Sequence, residues 1–236
     1  MYSAWRSIGR EILLRTKDIA ESMGFKVLHG IVDCLWLKGD GIERLQQVVE
    51  RETGLKTEVE KYDWIVFLPM SDGFGAYNRY YGRLSDGRMK LRGVIARRRD
   101  FPAYIRHAQL RLFDLLAKAK SAEEIADLKE KLLKLYDRFK DRLRNGVSPR
   151  LLAIERRISK LSYSRRCFEA SAVKAYERFG IKVVPGVSVS CVVVDAKRWI
   201  VEPYWNASGY DVNYYLGLLE KALDEIAYLF KEAKTR

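Results

Sequence analysis

The sequence of 236 residues has three cysteines, two histidines and five prolines. Cys34, Cys167 and Cys191 fit no zinc or redox spacing, and their odd number argues against a disulfide framework. Reduced thiols fit a cytoplasmic setting. His29 and His107 are too few and too far apart to seed a metal cluster. No repeat or low-complexity tract interrupts the chain. No apolar run approaches the ~18 residues of a membrane span, and no signal peptide opens the sequence. A glycine-rich phosphate loop is missing, since Gly73-Phe74-Gly75 is too short a pattern to serve. Acids are also in deficit: 31 Asp and Glu against 44 Lys and Arg, for a formal charge of +13 and a pI near 9.6. That excess points to a polyanionic partner, nucleic acid first and an acidic membrane surface second. A hydrophobic content of 48% describes a globular protein. Abundant Lys, Arg and Glu with few Asn and Gln hint at a thermophile.

The periodicity predicts a helix over residues 4–23, stopped by Gly24. Residues 25–37 follow, with Val27, Leu28, Ile31 and Val32 on one side and Leu35, Trp36 and Leu37 on the other. Two short strands joined by a tight turn would carry Asp33 at or beside that turn. Asp33 is then either a turn aspartate bonding its own backbone or an acid held for a cation. A second helix is expected from Asp40 or Gly41 to Glu52, closed by Gly54, and a long strand over residues 57–70. A turn at residues 71–75 and a hairpin over Ser85-Asp86-Gly87, with strands at 77–84 and 88–96, complete the first half.

After Ala96 the composition becomes helical. Expected helices cover residues 104–118; 121–143, opened by a Ser121–Glu124 capping box; 164–179; and 212–231, capped by Asp211. A basic irregular segment is expected from Ser148, and a strand pair at 181–184 and 187–194 about the Pro185-Gly186 turn. The fold class expected is α+β, divided near Arg99 into residues 1–99 and 100–236, with the first part resembling the later portion of a larger domain.

Asp33 alone cannot hold two metal ions, which need at least one further carboxylate. Asp40, Glu58, Glu60 and Asp63 are the candidates, and Glu60 is placed on a strand that could pair beside the hairpin. Arg79, Tyr80, Tyr81 and Arg83 mix aromatic rings with guanidinium groups, and Arg92 with Arg97, Arg98 and Arg99 extends the positive surface. Arg156, Arg157, Lys160, Tyr163, Arg165 and Arg166 form a second cluster. Such residues can hold phosphates without reading bases.

With these residues in place, the chain resembles the C-terminal third of archaeal-type family B DNA polymerases, from the later palm into the thumb, over nearly its whole length. The family hairpin of the form YGDTDS is met by His29-Gly30-Ile31-Val32-Asp33-Cys34, and the GR-containing helix before it by Gly9-Arg10. The KKRY motif, which grips the primer–template minor groove, is met by Tyr77-Asn78-Arg79-Tyr80. The palm-to-thumb joint is met by Arg98-Arg99-Asp100, and the thumb pattern by Ile158-Ser159, Tyr163, Pro185-Gly186, Tyr210-Asp211 and Tyr214-Tyr215. Ile31 stands where the first hairpin aspartate of the family would be, and Tyr77 and Asn78 replace both lysines.

The resemblance implies a partial polymerase palm, an antiparallel sheet with helices, followed by a mainly helical thumb. It implies the small subunit of a split DNA polymerase, acting in replication or repair. Asp33 and an aspartate on a larger partner fragment, which also carries exonuclease and fingers, would hold two Mg²⁺ ions, with Glu60 in a supporting place. The substrates implied are primer–template DNA and dNTP. Arg79, Tyr80 and the Arg97–Arg99 joint would hold the duplex. The alternative implied is a degenerate copy that binds DNA or regulates another polymerase without catalysis.

Overall fold

The computed structural model describes residues 2–31, 33–69 and 75–232. The chain forms two compact units, Met1–Lys61 and Tyr62–Arg236.

In the first unit, α1 (Tyr2–Ser22) runs into Gly24, whose φ of 87° is open to glycine. The Phe25 N–H returns to Ala20 O at 3.0 Å, closing the helix with a left-handed cap. Strands β1 (Lys26–Ile31) and β2 (Cys34–Lys38) then pair antiparallel, with Ile31 opposite Cys34. Helix α2 (Ile42–Thr53) follows. Ala20, Phe25, Leu45 and Val49 form its small buried core. Gly39 is required there, because a Cβ on it would lie 2.7 Å from the Phe25 ring. The strand expected to begin at residue 57 begins at Tyr62 instead. Residues 54–61 are irregular, and the Glu50 carboxylate anchors them by accepting from Thr57 N (2.8 Å) and Oγ1 (3.1 Å).

The second unit opens with a meander of β3 (Tyr62–Pro69), β4 (Gly75–Leu84) and β5 (Met89–Arg92). The expected turn at residues 71–75 lies almost wholly outside the described residues. The Asp86-Gly87 turn forms as the dipeptide predicts, with Leu84 N donating to Arg88 O at 2.8 Å. The last strand is shorter than expected, giving way to a 3-10 turn at Ile95–Arg97. Helices α3 (Ala103–Leu116), α4 (Ala122–Asp127) and α5 (Lys129–Asn145) come next. Ser121 caps α4 as expected: its Oγ accepts from Glu124 N at 3.3 Å, while Glu124 accepts from Lys120 N at 2.9 Å. The single helix expected over 121–143 is interrupted at Leu128, whose N–H tightens back to Ile125 O. Ile125, Leu128 and Leu132 are all buried there.

A short turn of helix, α6 (Pro149–Leu152), leads into a second antiparallel sheet of β6 (Ile154–Arg157), β7 (Ser188–Asp195) and β8 (Ile200–Pro203), in that order. Two expectations are corrected here. Residues 154–157 form a strand instead of an irregular basic loop, because Ile154 and Ile158 are buried while Glu155 and Arg157 face out. Residues 181–184 form none; Ile181 and Val184 are exposed, and β7 takes β6 and β8 as partners. Helix α7 (Phe168–Glu177) starts later than expected. The last helix, α8 (Val212–Glu232), is capped by Asp211, whose Oδ1 accepts from Tyr214 N at 3.0 Å.

Two cores hold this unit. One joins the meander to α3, α4, α5 and α8 through Leu68, Tyr81, Phe113, Leu132 and Ile226. The other gathers α3, α7, α8 and the second sheet around Ile105, Leu152, Val192 and Tyr215. The architecture is α+β, with small antiparallel sheets and several helices. Among the described residues no helix is long and apolar enough to cross a membrane.

Candidate nucleic-acid interface

Asp33 stands exposed in the tight turn between β1 and β2. Burial alternates along β1, which leaves Leu28 and Gly30 exposed and His29 and Ile31 half-buried. The turn therefore presents a single carboxylate to solvent. Among the described residues no group of three or more His, Cys, Asp or Glu side chains is placed to hold a metal. Glu60 is exposed in the irregular run before β3, not on a strand as expected. Asp40 and Glu58 are exposed as well. Asp63 is committed elsewhere, in an ion pair with Arg83.

The first basic cluster divides by burial. Arg83 lies inside the second unit, its Nε donating to Ala117 O at 2.7 Å. Tyr80 is 8% exposed and meets the Phe67 ring at 5.6 Å. Arg79 is 36% exposed; one terminal nitrogen donates to Glu225 Oε1 at 2.8 Å. Arg92, Arg97 and Arg99 are exposed and form no ion pair among the described residues. Arg98 lies over the Phe101 ring at 4.8 Å and binds Asp100 through two bonds of 3.0 and 2.7 Å. This guanidinium holds the Asp100 carboxyl below the usual carboxylate range, and Arg156 adds to the effect from 3.3 Å.

Glu225 is the residue that pattern reasoning missed. It is 9% exposed on α8 and gathers three donors. Besides Arg79, its Oε2 accepts from Ile95 N at 2.9 Å and from Gln109 Nε2 at 2.7 Å. Gln109, fully buried on α3, also accepts from Ala96 N at 2.6 Å and donates to Ala222 O at 2.9 Å. A buried carboxylate is tolerated when both of its oxygens are met by donors this way. The available signal was a polar pair on the apolar faces of two helices, Gln109 beside Ala108 and Glu225 before Ile226.

The second cluster lies along β6 and the loop that follows. Arg156 reaches Asp100 and, at 3.9 Å, Glu169. Arg157 Nε donates to Gly186 O at 3.1 Å. Lys160 sits over the Tyr163 ring at 5.3 Å. The Tyr163 hydroxyl is buried with no hydrogen-bond partner among the described residues. Arg165 and Arg166 are exposed and without ion pairs among those residues. Arg98 and Arg156 thus share one acid-linked network, while Arg97, Arg99, Arg165 and Arg166 keep their charge available to a ligand.

No family model matches the chain. Among curated proteins it is 30% identical over 235 residues to DNA polymerase 1 of Sulfolobus acidocaldarius, covering 95% of this chain and 26% of that protein. It is 30% identical over 224 residues to DNA polymerase 2 of Aeropyrum pernix. It is 34% identical over 140 residues to DNA polymerase 2 of Saccharolobus solfataricus, covering 59% of this chain and 21% of that protein. The chain therefore spans about a quarter of the length of these curated relatives. Among solved structures, the family B DNA polymerase of the hyperthermophilic archaeon Pyrobaculum calidifontis matches with a TM-score of 0.64 and 27% identity, over 95% of this chain and 29% of that one. These relatives are archaeal DNA polymerases, and the chain's fold is that of part of a family B enzyme.

Proposed function

We propose that this chain is the C-terminal palm and thumb of a family B DNA polymerase, with the palm portion in residues 1–99 and the thumb in 100–236. The carrying observation is similarity over 95% of the chain to polymerases of which it spans 26%. In this reading it works with a larger polymerase fragment that brings exonuclease, fingers and the other catalytic aspartate, in replication or repair. Primer–template DNA and dNTP are the substrates. Of the residues expected to hold the duplex, Arg97, Arg99, Arg165 and Arg166 offer exposed charge to its phosphates and Arg157 and Lys160 add to it, whereas Tyr80 is buried and Arg98 and Arg156 are bound to acids.

The donor set fits half of a metal site. Asp33 is an exposed carboxylate at a hairpin tip, able to serve as one direct ligand of Mg²⁺, and Glu60 is exposed in the same unit. Two such ions, when bound, orient the reacting groups and offset charge on the phosphates in nucleotidyl transfer. The chain's own part is to present Asp33 on a short, paired hairpin and to keep the duplex in place.

One observation favours a second reading, a DNA-binding or regulatory subunit without catalysis: Ile31 stands opposite Cys34 in the hairpin where the family pattern has an acid. Primer extension by the complex with a candidate large fragment separates the two readings. Extension by wild type and its loss in Asp33→Ala supports catalysis. Equal behaviour of both complexes means that Asp33 is not catalytic, and failure of both to extend while DNA is still bound favours the second reading.

A further inference from the structure

The second unit holds an open cavity of about 230 Å³ walled by β6, the start of α7, the β7–β8 turn and α8. Arg156, Cys167, Phe168, Glu169, Trp199 and Tyr214 line it. Trp199 is the one non-glycine residue with positive φ, 52°, among the described residues. Its turn is pinned on both sides: Arg198 N donates to Asp195 Oδ1 and Ala196 N to Asp211 Oδ2, each at 2.9 Å. Glycine fits that backbone without strain, yet the largest side chain occupies it. Strain retained at a cavity wall points to a use for the ring. Tyr214 meets Trp199 edge-on at 6.3 Å, and both residues line the cavity.

The size and the polar groups narrow the ligand. The volume falls below the ~300–1,000 Å³ of pockets for drug-sized molecules, so it suits one planar heterocycle. Arg156 can only donate and Glu169 can only accept, and they lie 3.9 Å apart. Donor and acceptor side by side match the edge of a nucleobase. Arg165 and Arg166 directly precede Cys167, and Lys197 lies two residues before Trp199; all three are exposed and without ion pairs among the described residues.

We propose that this cavity receives one unpaired base of a DNA strand, stacked on Trp199, with its flanking phosphates held by Arg165 and Arg166. The inference rests on the DNA-binding reading above and adds a single-strand function to it. Glu169 accepts from an exocyclic amine, so an amino base such as cytosine is favoured over thymine.

The test measures binding of the full chain, by fluorescence anisotropy, to three labelled duplexes: fully paired, with one bulged cytosine, and with one bulged thymine. Wild type is expected to bind the cytosine bulge about tenfold more tightly than the paired duplex, the scale of one base–aromatic stack. Trp199→Ala is expected to bind all three alike with unchanged affinity for the paired duplex. Trp199→Gly, which relieves the left-handed strain, should do the same and guards against an unfolded alanine variant. Glu169→Gln should keep a bulge preference but lose the choice of cytosine over thymine. Equal wild-type affinity for paired and bulged DNA overturns the pocket while leaving the duplex grip standing. So does a bulge preference that survives both Trp199 variants. Binding of bulged but not paired DNA upholds the pocket and removes the duplex grip, and binding of neither removes both.

Discussion

At the scale of single residues, the interior carries the more distinctive chemistry. Glu225 accepts from a guanidinium, an amide side chain and a backbone N–H, so no neutral isostere can replace it without setting a donor against a donor. Glu225→Ala leaves Gln109 and the Ile95 N–H buried without that acceptor. It is expected to destabilise the chain by about 3–5 kcal/mol, read as a lower urea midpoint with an unchanged m-value. Asp100 gives a pH-dependent counterpart. Its carboxyl lies lower in the folded chain than in the unfolded one because Arg98 binds it. The stability this pair contributes is complete above the unfolded carboxylate value of about 3.9 and is lost as pH falls through the folded value. Asp100→Asn should flatten the acid limb of stability against pH, measured by denaturant titration between pH 5 and 2, roughly the span over which carboxylates protonate. Arg79, Tyr80 and Asp33 were visible in the sequence as residue types in a motif order. Glu225 and Gln109 were not, because their meeting is set by how α3 and α8 pack and no local pattern records it.

At the scale of elements, caps and alternation decided what could be foreseen. Ser121 with Glu124, Asp86-Gly87 and Asp211 each state their geometry in a few neighbouring residues, and each forms as read. Strand β6 was hidden because its alternation of Ile154 and Ile158 is interleaved with Arg156 and Arg157, which together read as a basic loop. The run at 181–184 misled in the opposite sense: it has strand-forming residues, but β7 already has a partner on each edge. Asp211 does more than a cap needs, since its second oxygen also holds the turn at Ala196. Asp211→Ala is therefore expected to destabilise by about 2 kcal/mol, the upper end for a lost N-cap, seen as a lower melting temperature. Ile158→Ala should cost about 2–5 kcal/mol, checked by denaturant unfolding, because Ile158 is fully buried where β6 leaves the sheet.

For the whole molecule, a net charge of +13 overstates what a polyanion can reach. Arg83 serves the interior, while Arg98 and Arg156 are bound to acids. The free positive surface is set by residues such as Arg97, Arg99, Arg165 and Arg166. Replacing Arg165 and Arg166 by alanine should weaken duplex binding and lower the slope of log affinity against log salt by about 2, with the melting temperature unchanged. Replacing Arg83 should lower the melting temperature. The α+β class and the likeness to a polymerase were legible in charge, helix caps and motif order. The two-unit division was not, since residues 57–61 read as the start of a strand and gave no linker signal.

The small core of the first unit, four buried residues among those described, has a thermodynamic consequence. A body of this size rarely supplies more than about 3–5 kcal/mol from its core alone, and here Ala20, Phe25, Leu45 and Val49 are its buried cluster. The Asp33 turn is thus carried by the part of the chain with the least reserve against local opening. Any ligand that requires the closed hairpin would raise the free energy of that opening by mass action. Amide hydrogen exchange along β1 and β2 then becomes a direct gauge of occupancy at Asp33: slowing there on addition of Mg²⁺ with template and a partner fragment would register assembly before any nucleotide is joined.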